Sequence, residues 1–179
     1  MEKNISWFRD VRNTDVASVG GKNASLGEMI HSLSKAGIEV PDGFAITAHA
    51  YWAFLDANQI KDKLVACLAQ LDRKTFSDLP SIAEEAQGLI LNGKWPDELG
   101  QEIRSAYREL EGKGISSVAV RSSATAEDLP TASFAGQHES FLNIRGDEAL
   151  LEACKRCYAS LFKERAIKYR QDMGFPDMK

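Results

Sequence analysis

The chain has 179 residues, 44% of them hydrophobic and 27% charged, which suits a soluble globular protein of one domain or two small lobes and excludes a disordered tail. Lysine and arginine number 22 against 26 acidic residues, for a net charge of -4, so broad attraction to nucleic acid or to an anionic membrane is not expected and any phosphate ligand has to be held locally. The N-terminal MEKNISWFRD has no apolar signal core, and no later run approaches the ~20 apolar residues of a membrane span, so the expected location is cytoplasmic.

In chain order, Ile5 to Phe8 reads as a short strand. Past Gly20-Gly21, the apolar positions Leu26, Met29, Ile30 and Leu33 recur at helical spacing until Gly37 and Pro41 close the segment, which predicts a helix of about four turns. Gly43 to Thr47 reads as a buried strand. Helical material resumes near Tyr51 and dominates the stretch from about 50 to 112. One stripe there is Ile60, Leu64, Cys67, Leu68 and Leu71, and another is Leu99, Ile103, Ala106, Tyr107 and Leu110. Asp78-Leu79-Pro80 and Lys94-Trp95-Pro96 mark breaks, because the residue before a proline is pushed out of helical geometry.

A strand-loop-strand unit follows over about 117–144. Ser117 to Arg121 is the first strand, and Glu139 to Ile144 is the second. Strict alternation puts Ser140, Leu142 and Ile144 on one face of the second strand and Glu139, Phe141 and Asn143 on the other. Leu150, Cys154, Cys157, Tyr158 and Leu161 then form one face of a long final helix that runs on toward Tyr169. Few strands and many helices make the class α+β.

The three cysteines, Cys67, Cys154 and Cys157, are an odd and sparse set that argues against a disulfide framework. The Cys154 and Cys157 pair has no second pair and no histidine at zinc spacing, and reads as two small core residues of a helix. No metal ligand set is predicted. His31 reads as a partly exposed residue of the first long helix.

Two segments carry phosphate-binding chemistry. Gly20, Gly21 and Lys22 stand where the first long helix begins, and a helix start offers unpaired N–H groups and partial positive charge, glycines admit a phosphate, and lysine adds a mobile cation. This is neither a Walker A loop, since Val16 and Asn23 stand where glycine and Ser or Thr belong, nor a dinucleotide fingerprint. The plain alternative is a glycine turn with a solvated lysine.

The second segment starts at Arg121, whose guanidinium is held at the end of an apolar strand and offers donors suited to a phosphate oxygen pair. Ser122, Ser123, Thr125, Thr131 and Ser133 follow, spaced by Ala124, Ala126, Ala132, Ala135 and Gly136. A structureless connection of that length is usually a lid or binding loop. Small residues let backbone amides close on a ligand, and hydroxyls donate to phosphate without bulk. Glu127 and Asp128 would repel a bare triphosphate unless magnesium lies between or the carboxylates point away.

Taken together, "GGKNASLGEM", "VPDGFAITAHAYWAFL", "AVRSSATAEDLPTASFAGQHESFLNI" and "LFKERAIKYR" resemble the N-terminal nucleotide-binding region of the phosphoenolpyruvate synthase (pyruvate, water dikinase) family, in register over nearly all of residues 1–179. Pyruvate phosphate dikinase and rifampicin phosphotransferase are related. "DLPTASFAGQHESFLN" looks more like the synthase or the rifampicin enzyme than the dikinase. The resemblance implies the N-terminal lobe of an ATP-grasp fold, with a small mixed or antiparallel sheet and a helix-rich insertion.

It also implies ATP and magnesium as cofactors, and carries Lys22, Arg121, Gly136 and Ser140 over as nucleotide contacts, Ser140 replacing a usual threonine. His138 stands where the family usually has a glutamine, so no contact is carried over to that side chain. "TAHAY" around His49 echoes the family's phosphohistidine motif but lacks its preceding glycines and lies in the wrong domain. The implied reaction takes ATP, pyruvate and water to AMP, phosphoenolpyruvate and phosphate, by way of a histidine on a swivelling domain. No catalytic residue is expected in this chain, which by itself is expected to be inactive. The second ATP-grasp half with most magnesium ligands, the phosphohistidine domain and the pyruvate-binding barrel are expected beyond Lys179. Alternatives are a free-standing nucleotide-binding module, or the ATP-binding lobe of rifampicin phosphotransferase or pyruvate phosphate dikinase.

Overall fold

Ile5–Trp7 (β1) pairs antiparallel with Phe44–Ile46 (β2), Ile5 opposite Ile46 and Trp7 opposite Phe44. This is the first of two such ladders in a computed structural model that describes residues 3–123, 139–176 and 178. Between the two strands lie the short helix Val16–Val19 (α1) and the longer Gly21–Leu33 (α2).

The predicted apolar stripe of α2 is not what it buries. Gly21, Ala24 and Gly27 are the buried positions, while Met29 is 44% exposed. The reason is a backbone-distance approach: a Cβ on Gly27 would lie 2.4 Å from the Val11 carbonyl oxygen. Only a face of small residues permits that separation.

Thr47 ends β2 and starts Ala48–Ala57 (α3). Its hydroxyl oxygen accepts from the Ala50 N–H at 3.3 Å, and the hydroxyl donates to the Lys3 carbonyl at 2.7 Å. "TAHAY" is therefore a capped helix start, with His49 exposed in its first turn. Lys61–Ala69 (α4), Leu79–Leu91 (α5) and Asp97–Gly112 (α6) complete the helical middle. Both predicted stripes there are buried. Pro80 sits in the first turn of α5, where its missing N–H breaks no intrahelical bond. Phe54, Leu64, Ile90, Ile103 and Tyr107 form the sealed centre of this core.

Val118–Arg121 (β3) and Ser140–Ile144 (β4) make the second antiparallel ladder. Strict alternation fails in β4. Val120 faces Phe141 but Val118 faces Ile144, so Leu142 and Asn143 together oppose Ala119, and Asn143 takes a left-handed φ of 57°. This bulge turns Phe141 and Ile144 inward and leaves Leu142 66% exposed.

The long final helix is likewise two helices, Asp147–Ser160 (α7) and Glu164–Asp172 (α8). Ser160 Oγ donates to the Cys157 carbonyl at 2.7 Å, Phe162 turns into the core, and Arg170 Nη1 donates to the Leu161 carbonyl at 2.6 Å. These contacts hold the chain in a bend that helical periodicity does not encode. The architecture is α+β, mostly helical, with small antiparallel ladders. Among the described residues no helix is long and apolar enough to cross a membrane.

Candidate functional site

β3 fixes Arg121. Val118 and Val120 are half-buried against the core and α7, so Ala119 and Arg121 occupy the outer face. Ser140 is the register partner of Arg121 across the ladder and is exposed like it. Directly opposed residues of an antiparallel pair share a face, so the guanidinium and the Ser140 hydroxyl project on the same side.

The start of α2 meets the end of β3. Gly20 precedes the helix at φ 80°, ψ 162°, a conformation suited to glycine, and supplies no side-chain cap. Lys22 is exposed, and its Nζ donates to the Ser122 carbonyl at 3.4 Å. The Asn23 N–H donates to Ser123 Oγ at 3.2 Å, while Asn23 Nδ2 donates to the Val19 carbonyl at 2.8 Å. Segments 100 residues apart are thereby joined, and Lys22 is brought to the residue that follows Arg121. The Ser122 hydroxyl oxygen is buried there with no hydrogen-bond partner among the described residues. Gly136, Glu127, Asp128 and His138 lie outside the described residues.

α7 underlies the site. Cys157 is buried, and its thiol is pushed up to about 12, first by burial and then by Glu139, against the opposing pull of Arg156 and Lys22. It stays protonated at neutral pH and is poorly suited to act as a nucleophile or metal ligand. Glu139 is ion-paired with Lys163, and the Arg156 guanidinium lies 4.3 Å above the Phe141 ring. All three cysteines are free and buried, as the core reading of the sequence has it.

A ledge of lysine, arginine and hydroxyls with an unpartnered buried oxygen is suited to anionic oxygens. Residues 16–179 match the family described as pyruvate phosphate dikinase, AMP/ATP-binding domain. The chain belongs to this family. It is also 49% identical over 174 residues to the phosphoenolpyruvate synthase of Neisseria meningitidis serogroup B, covering 96% of this chain and 22% of that protein. The corresponding protein of Aquifex aeolicus is 47% identical over 178 residues, covering 98% and 21%, and that of Escherichia coli is 45% identical over 172 residues, covering 96% and 22%. The chain thus spans about a fifth of the length of these relatives.

Within this AMP/ATP-binding domain the described residues include no group of three or more His, Cys, Asp or Glu side chains arranged to hold a metal ion. The residues alone singled out Gly20, Lys22 and Arg121, and the family resemblance added Ser140; the contact that joins the two segments, between the Asn23 amide and Ser123, was missed. Ser123 entered only as one hydroxyl in a hydroxyl-rich loop. A glycine at the capping position, with no side chain to cap the helix, is the one local sign that a cap comes from elsewhere.

Proposed function

We propose that the chain is the ATP-binding lobe of a phosphoenolpyruvate synthase, the first part of an ATP-grasp domain in a longer enzyme. That enzyme converts ATP, pyruvate and water to AMP, phosphoenolpyruvate and phosphate, by phosphorylating a histidine on a swivelling domain and then pyruvate. The observation that carries the reading is the Lys22 Nζ bond to the Ser122 carbonyl, which sets the lysine beside the Arg121 strand end. The phosphoenolpyruvate synthase relatives support it.

In this reading Lys22 and Arg121 neutralise the polyphosphate of ATP, Arg121 by paired N–H donors and Lys22 as a point charge. Ser140 and Ser122 donate hydroxyl hydrogens to phosphate oxygens, and Gly136 offers a backbone amide. Magnesium, when bound with the nucleotide, supplies further charge neutralisation through ligands outside the described residues. Phosphoryl transfer relies on positioning and charge stabilisation, which such groups provide without a protein nucleophile.

The test is made in the natural polypeptide that carries this chain. K22A and R121A are each expected to lower ATP-dependent phosphoenolpyruvate formation by about a hundredfold or more, with folding retained by circular dichroism. Rates equal to wild type in both variants would reject the assignment.

A further inference from the structure

Helix α2 begins without a cap of its own, and what completes it comes from the segment that follows β3. The Ser123 hydroxyl oxygen accepts from the Asn23 N–H at 3.2 Å, a capping contact normally made by the residue just before a helix. The approach is close on both sides: a Cβ on Gly20 would lie 2.2 Å from the Ser123 carbonyl oxygen and 2.4 Å from its Oγ. Lys22 sits between Gly20 and Asn23, and Arg121 lies two residues before Ser123. The Lys22 ammonium and the Asn23 amide both donate across to this second segment, to the Ser122 carbonyl and to Ser123 Oγ.

We propose that Ser123 is a positioning residue for the nucleotide: by capping α2 from just past the end of β3 it sets the separation between the Lys22 ammonium and the Arg121 guanidinium that the polyphosphate spans. The inference rests on the ATP-binding reading above. Ser123 acts through the Asn23 amide and touches no reacting atom. Its loss leaves both cations in place while freeing the segments that carry them to shift relative to one another. Because the penalty falls on phosphate recognition, it is read in ATP and not in a nucleoside lacking phosphates. A threonine keeps the hydroxyl and an alanine does not.

The test measures MgATP and adenosine affinity by titration calorimetry in the natural polypeptide, for wild type, S123A, S123T, K22A and R121A, alongside melting temperature. S123A is expected to melt within a few degrees of wild type, to bind MgATP about tenfold more weakly, and to bind adenosine as before, with S123T within about twofold of wild type. Wild-type ATP affinity in S123A, with K22A and R121A impaired, overturns the positioning role and leaves the ATP reading standing. An equal loss in S123T and S123A also overturns it, because volume and not the hydroxyl would then matter. If S123A unfolds, S123T decides, and a weakened S123T again overturns the role. No ATP binding by wild type, or unimpaired binding by K22A and R121A, fells both readings together.

Discussion

Gly20 and Ser123 meet so closely that a side chain on the glycine would overlap the serine carbonyl, at 2.2 Å from its oxygen. The glycine also holds φ at 80°, where an L side chain is strained. Both penalties act on Gly20→Ala, and the obstructing atom is backbone and not a flexible tip. The expected cost is about 2–4 kcal/mol in urea unfolding, well above the ~1 kcal/mol typical of point substitutions. A cost under about 0.5 kcal/mol would mean that the two segments are not in contact in solution.

Phe54 is fully buried between aromatic neighbours, its ring 5.0 Å from that of Trp95 and 5.7 Å from that of Tyr158. Phe54→Ala removes that packing and leaves a cavity at the centre of the helical core. The expected destabilisation is about 3–5 kcal/mol, accompanied by a change in Trp95 emission. Unfolding midpoints in denaturant check it, and a loss below about 1 kcal/mol would contradict the burial.

Asp42 joins a charge cluster around Trp7. Lys113 Nζ lies 2.9 Å from the Asp42 carboxylate and 3.2 Å from that of Glu109, and Arg9 lies 3.3 Å from Glu109, while Arg9 and Lys113 sit 4.5 and 4.7 Å from the Trp7 ring centre. Burial alone would raise the Asp42 pKa, but the Lys113 and Gly43 hydrogen bonds and the nearby cations outweigh it and hold it below the ordinary 3.8. A carboxylate lowered on folding adds stability above its unfolded pKa and loses it as pH falls through the folded one. Stability therefore declines below about pH 4 partly through this group. Asp42→Asn is expected to flatten that decline and to cost under about 1 kcal/mol at pH 7, as suits a partly exposed pair. An unchanged acid slope would exclude Asp42 as a contributor.

The thiols of Cys67, Cys154 and Cys157 are all buried, and burial raises the pKa of each. In native protein at pH 8 a disulfide-exchange reagent such as DTNB is expected to label them slowly, and in guanidinium all three rapidly. Fast labelling of native Cys154 or Cys157 would show that the seat of α7 beneath the site opens readily.

Periodicity made the helical middle legible because every turn repeats the same demand. Ile60, Leu64, Cys67, Leu68 and Leu71 share one face, and Leu99, Ile103, Ala106, Tyr107 and Leu110 another, and both faces are buried. Lys22 and Arg121 were legible as cations at element ends, whereas Ser140 entered only through the family resemblance. What stayed hidden depends on a partner distant in sequence. The buried face of α2 is written in Gly21, Ala24 and Gly27, which carry no hydrophobic signal, and it makes sense only beside Val11 and Ser123. The β4 bulge hides for a related reason: Asn143 tolerates a left-handed φ, but nothing local demands it. The bend between α7 and α8 depends on where Phe162 finds room, which the spacing of Leu161 and Tyr169 does not report.

The Asn23 and Ser123 contact spans 100 residues, so closing it in folding has a large entropic cost until the intervening helices have docked and brought its ends together. The expected order of refolding is helical signal first and nucleotide affinity last. Mild denaturant should reverse that order, abolishing ligand recognition while ellipticity is still near its native value. Coincident loss of the two signals would refute the sequence.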